Sequence, residues 1–176
     1  GLWLRGHPEL VAIKSGTYEI KEGAPLKEAL SLFASGKEFH FSLTFVEGSR
    51  FEDWLKQLSS APYLERLTVE QSETELAQEL GIDNGKLEGW FLPETYAYTT
   101  HASDISILRR AYQDMKTFLQ ENWEKRQANL PYKTPYEALI MASIIEKETG
   151  QPDERAQIAS VFVNRLRLGM KLQTDP

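Results

Sequence analysis

Three carboxylates in this sequence stand where acid–base chemistry could use them. Glu146 closes the apolar run Ala138-Leu-Ile-Met-Ala-Ser-Ile-Ile145. Helical spacing places Leu139, Ala142 and Ser143 on its face, so its carboxyl is expected among small and apolar side chains. It also falls in the last turn of that helix, where the dipole disfavours an anion. Both effects favour the protonated carboxyl, the form a general acid needs. The same Glu146-Lys147-Glu148 triplet also fits a plain solvated helix end. Glu94 lies among Trp90, Phe91, Tyr96 and Tyr98, and Asp175 lies in Leu172-Gln173-Thr174-Asp175-Pro176. Sugar rings stack on flat side chains, and carboxylates protonate glycosidic oxygens, so aromatics beside carboxylates suit a sugar-binding cleft. The aromatic stretch fits simple core packing equally well.

Other chemistries find little support. His7, His40 and His101 are scattered and none has the i, i+4 spacing of a helical zinc site. There is no Gly-x-Ser-x-Gly elbow, no phosphate loop and no dinucleotide fingerprint. The absence of cysteine removes disulfides, thiolate metal sites and a thiol nucleophile together. A net charge of −6 argues against a general nucleic-acid binder. With 176 residues, 41% apolar and 26% charged, the chain can build one domain or two small ones. No apolar run approaches the ~20 residues that span a bilayer.

The elements that must position these groups follow from periodicity. Residues 1–14 read as a short extended segment. Thr17-Tyr18-Glu19-Ile20 alternates as a strand, and Leu26, Ala29, Leu30 and Phe33 form a helix stopped by Gly36. Phe39, Phe41, Leu43 and Phe45 share one face of a second strand. Ser49 with Glu52, Ser72 with Glu75, and Ser103 open three helices, the last being the longest, to about Arg126. Thr134, Pro135 and Glu137 open the next, which is apolar nearly all round and therefore expected to be buried on every side, with Gly150 as a left-handed stop. A final helix runs from about Pro152 to Leu168 with Ile158, Val161, Phe162 and Leu166 inward. Strands cluster before residue 48 and helices follow, which predicts an α+β fold.

Several segments resemble one family, and in the family's order. They are Leu43-Thr44-Phe45-Val46-Glu47-Gly48, Glu88-Gly89-Trp90-Phe91-Leu92-Pro93-Glu94-Thr95-Tyr96, Ala142-Ser143-Ile144-Ile145-Glu146-Lys147-Glu148-Thr149, and Phe162-Val163-Asn164-Arg165-Leu166 with Gly169-Met170-Lys171-Leu172-Gln173-Thr174-Asp175-Pro176. The chain is identified by them as similar to the YceG-like family, the endolytic murein transglycosylases known as MltG. The resemblance implies a LysM-like β-α-β module at about 15–48 within an N-terminal region 1–82. A mainly helical catalytic domain, 83–176, would follow, C-terminally truncated because family members continue past the Asp-Pro pair. It implies cleavage of peptidoglycan glycan strands between N-acetylmuramic acid and N-acetylglucosamine, a 1,6-anhydro end, and termination of nascent strands.

The catalytic glutamate of the family falls on Glu146. Glu94, Tyr96, Asn164, Gln173 and Asp175 are the implied substrate-binding residues. No metal and no cofactor are implied. A hydrolase needs a second carboxylate, whereas the sugar's own C6 hydroxyl can attack at high effective molarity. The resemblance further implies peptidoglycan synthases as partners. It also implies a single-pass anchor in the bacterial inner membrane, absent from this chain, with this portion on the periplasmic side. Two other readings share the same residues: a glycan-binding module without catalysis, and a structural subunit of a wall-synthesis complex.

Overall fold

The computed structural model describes residues 13–83 and 85–172. Among them the arrangement is α+β, as expected. Helix α1 spans Leu26–Ser35, strand β1 Phe41–Thr44, α2 Phe51–Ser60, α3 Glu73–Leu80, and strand β2 Thr95–Tyr98. The longest helix, α4, spans Asp104–Glu124, and α5 (Pro135–Glu148) and α6 (Pro152–Arg167) follow. The segment 1–14, apart from its last two residues, lies outside the described residues.

The expected β-α-β order is only half met. Residues Thr17–Ile20 form no strand; one backbone bond, Phe39 N to Thr17 O at 2.7 Å, ties them to the chain ahead of β1. Their alternation serves no single buried face. Tyr18 packs edge-on against Phe33 of α1 at 5.2 Å, while Ile20 stays exposed. The partner of β1 is instead β2, antiparallel, in the register Phe41 to Tyr98 and Thr44 to Thr95. Thus the aromatic stretch supplies the second strand.

That pairing places Phe45, Tyr96 and Tyr98 in the core with Trp54 and Leu58 of α2, Leu76 and Leu80 of α3, and Ile107, Leu108 and Tyr112 of α4. Phe45 stacks on Trp54 with ring centres 3.8 Å apart, and Phe51 on Phe91 at 5.0 Å. The division expected between residues 82 and 83 falls inside this core: Ile82 and Leu87 are both buried members of it.

Caps explain most helix ends. Gly36 ends α1 at φ 69°, and Ser72 and Glu75 form the full expected box at α3. Ser103 caps α4 by accepting from Ser106 N. The box expected from Ser49 and Glu52 does not form. Ser49 Oγ accepts from the Trp54 indole at 2.9 Å, and α2 starts after Arg50. Its first N–H, on Phe51, donates to Glu88 Oε2 at 3.0 Å, so a residue far along the chain satisfies the helix start.

Asp104 is the buried charge of this core, 1% exposed. Its carboxylate accepts from the N–H groups of Leu67, Thr68 and Ile105 and from the Thr68 hydroxyl, at 2.6–3.1 Å. A buried carboxylate with its oxygens this fully occupied organises the backbone around it.

Candidate active site

Helix α5 carries the candidate acid. Thr134 Oγ1 accepts from Glu137 N, and Pro135 sits at the start. Glu137 reaches one residue further back than a capping box requires, to Lys133 N at 2.6 Å. At the other end Glu148 is the last helical residue. Thr149 turns into extended backbone at φ −147°, and Gly150 is not left-handed, contrary to expectation. Thr149 is buried and does the capping instead, its N–H donating to Ile145 O at 3.1 Å; its hydroxyl turns to the next helix, accepting from Gln151 N at 3.0 Å and donating to Glu154 Oε2 at 2.8 Å.

The expectation that α5 is buried on every side is not met. Met141 is its one buried residue, Ile140 is 44% exposed, and Ala142 and Ser143 face outward. The reason is geometric. Among the described residues the helices packed most closely on α5 are α4 and α6, and two helices cover only part of a cylinder. Likewise Phe162 of α6 points inward but Val161 is half exposed.

Segments far apart in sequence meet on α5. Lys147 Nζ donates to Gly48 O at 3.2 Å, joining the Glu-Lys-Glu end to the turn after β1. At its first turn Tyr136 stacks on Trp90, rings 4.9 Å apart and 3° from parallel. Trp90 Nε1 is buried with no hydrogen-bond partner among the described residues. Glu146 pairs with Arg155 of α6, Oε2 to Nη2 at 2.9 Å, and its side chain retains 36% exposure. The expected small, apolar surroundings of Glu146 are therefore replaced on one side by a guanidinium.

The other expected site residues are placed differently. Glu94 is exposed just ahead of β2; its carboxylate accepts from Thr95 N at 3.2 Å and its carbonyl from Phe45 N at 3.0 Å. Tyr96 is a core residue, 2% exposed, and its hydroxyl donates to Leu92 O at 2.8 Å. Burial first, then the charges of Asp114 and Glu94, pushes this phenol well above its ordinary range, so it remains a donor. Asn164 is exposed on α6. No hydrogen bond or ion pair joins Glu94, Tyr96 or Asn164 to Glu146 among the described residues. Gln173 and Asp175 lie outside the described residues.

Sequence reasoning missed Arg155. It lies nine positions after Glu146 with a helix break between, and no periodic rule links residues across such a corner. A basic residue just after an acidic first turn was the one visible signal. Among the described residues, no group of three or more His, Asp or Glu side chains could hold a metal ion. No helix there is long and apolar enough to cross a membrane.

A profile described as the YceG-like family matches residues 2–176. A Bacillus subtilis (strain 168) protein named endolytic murein transglycosylase is 27% identical over 186 residues, covering 93% of this chain and 50% of its own length. One of the same name from Streptococcus pneumoniae serotype 2 is 25% identical over 193 residues, covering 93% of this chain and 34% of its own. The chain thus spans half the length or less of these curated relatives. A crystal structure of a YceG-like protein from Listeria monocytogenes shares the fold, with a TM-score of 0.51, 22% identity, and coverage of 99% of this chain and 63% of that one.

Proposed function

Because the chain belongs to the YceG-like family, we propose that it forms part of a peptidoglycan lytic transglycosylase with Glu146 as its acid and base. The observation that carries this reading is convergence: the turn at Gly48, Trp90 and α6 all meet the helix whose last turn holds Glu146. In the proposed reaction Glu146 gives its proton to the oxygen leaving C1 of N-acetylmuramic acid. The C6 hydroxyl of the same sugar closes on C1, its proton returns to Glu146, and a 1,6-anhydro end results. Intramolecular attack supplies the nucleophile that a second carboxylate would otherwise activate.

Glu94 and Asn164, both exposed, are proposed to contact the glycan, together with Gln173 and Asp175. Tyr96, two residues after Glu94, packs in the core. Residues 15–48 are proposed to hold the wall as a LysM-like element. An open surface depression beside α1, lined by Ile20, Lys21, Glu28 and Leu32 among others, is the place proposed for that contact. Strand termination, synthase partners and a membrane-anchored, extracytoplasmic setting belong to the same proposal.

The test is Glu146→Gln in the full-length protein, with mass spectrometry of the glycans released from purified peptidoglycan. Loss of general acid catalysis costs about 10²–10⁴ in rate, and the melting temperature should be unchanged. Glu148→Gln should keep most of the rate. An inactive Glu148→Gln beside an active Glu146→Gln would move the role by two residues.

A further inference from the structure

The corner between α5 and α6 is fastened at each step. Thr149, buried, accepts from Gln151 N and donates to Glu154. Those bonds set the first turn of α6, and the next residue, Arg155, returns across the corner to Glu146 at 2.9 Å. Arg155 Nε is buried without an acceptor among the described residues, so the guanidinium is not spread over several partners. Glu146 is its one ionic partner there. The pair engages Oε2 of Glu146 and leaves Oε1 without a partner among the described residues.

We propose that Arg155 is the positioning residue for Glu146, fixing Oε1 as the oxygen that exchanges a proton with the glycan. The proposal rests on the transglycosylase reading above. A guanidinium has donors only and stays charged, so it cannot compete as acid or base. It can hold one carboxyl oxygen and leave the other to carry the mobile proton. When Oε1–H protonates the glycosidic oxygen, the bond from C1 to that oxygen breaks and its electron pair goes to the oxygen. Glu146 is left with a negative charge beside a fixed positive one, which stabilises charge where it develops. When the C6 hydroxyl oxygen then bonds to C1, its proton returns to Oε1 and the enzyme regains its starting state. The competing account is an ordinary surface ion pair, which adds little to the fold and nothing to the reaction.

Four variants of the full-length protein separate these accounts: Arg155→Gln, Arg155→Lys, Glu146→Gln, and Arg155→Gln combined with Glu146→Gln. They are assayed on soluble, uncrosslinked glycan strands, with melting temperatures measured in parallel. Arg155→Gln should lower kcat about 10–100-fold with KM little changed. Arg155→Lys, which keeps the charge without the fork, should fall between it and the unaltered protein. In the Glu146→Gln background, Arg155→Gln should change the residual rate by less than about 3-fold, since both act as one unit. An unchanged kcat in Arg155→Gln, a change in KM alone, or an equal loss with and without Glu146 overturns the proposal. A rate in Glu146→Gln equal to that of the unaltered protein overturns the transglycosylase reading itself, and the proposal with it.

Discussion

The core between Phe45 and Tyr112 is closed by stacked rings and near-complete burial, whereas α5 and α6 together bury only Met141 and Phe162 and leave Ile140 and Val161 half in solvent. The proposed acid, Glu146, sits in the second region. Its fixed points are polar and specific: Thr149 at the corner, Lys147 on Gly48, and Arg155 on Glu146. Apolar burial is roughly proportional to area and carries most of the stability. Directed hydrogen bonds contribute less energy and more geometry. The two regions therefore differ in what holds them: apolar burial closes one, and directed polar contacts fix the other, which carries the proposed acid.

Three experiments probe that division, beginning with the largest expected effect. A fragment ending at residue 82 should fail to fold alone, because β2 and α4 supply β1's partner and much of its core. Circular dichroism with urea would show no cooperative transition. A cooperative one would mean that residues 1–82 form a module of their own. Next, Asp104→Ala should leave the Ile105 N–H and the part-buried donors of Leu67 and Thr68 without their acceptor, at a cost of about 1–3 kcal/mol in urea denaturation. A near-zero change would mean that water replaces the carboxylate there. Smallest should be Val161→Ala on α6, within about 0.5 kcal/mol. A loss well above that would show that the exposed face of the helix pair is covered in solution, and would narrow the contrast between the two regions.

Local rules that need only neighbours in the chain were legible. The Ser72–Glu75 box, the Gly36 stop, the Thr134 cap and the alternation of Phe41 and Leu43 all appear where expected. Each rests on contacts within a few residues. Glu146 was legible as a carboxylate in the last turn of a helix, and the ordered motifs pointed to the family that the profile match bears out.

Tertiary structure decided the rest, because those outcomes depend on which surfaces meet. Alternation at Thr17–Ile20 matched a strand, yet β1 took Thr95–Tyr98 as its partner, since the aromatic stretch could bury Tyr96 and Tyr98 against α2 and α4. Ser49 could have capped α2, but the indole of Trp54 claimed its hydroxyl and Glu88 filled the vacancy from afar. Apolar content all round α5 could not say how much of it is covered, because burial belongs to the neighbours a helix has and not to its own residues. The pairing of Arg155 with Glu146 likewise exists only once the Thr149 corner has set the direction of α6. Sequence fixes which groups can ionise and where a helix can start or stop; the distance between a guanidinium and a carboxylate on two helices is set by the turn that joins them.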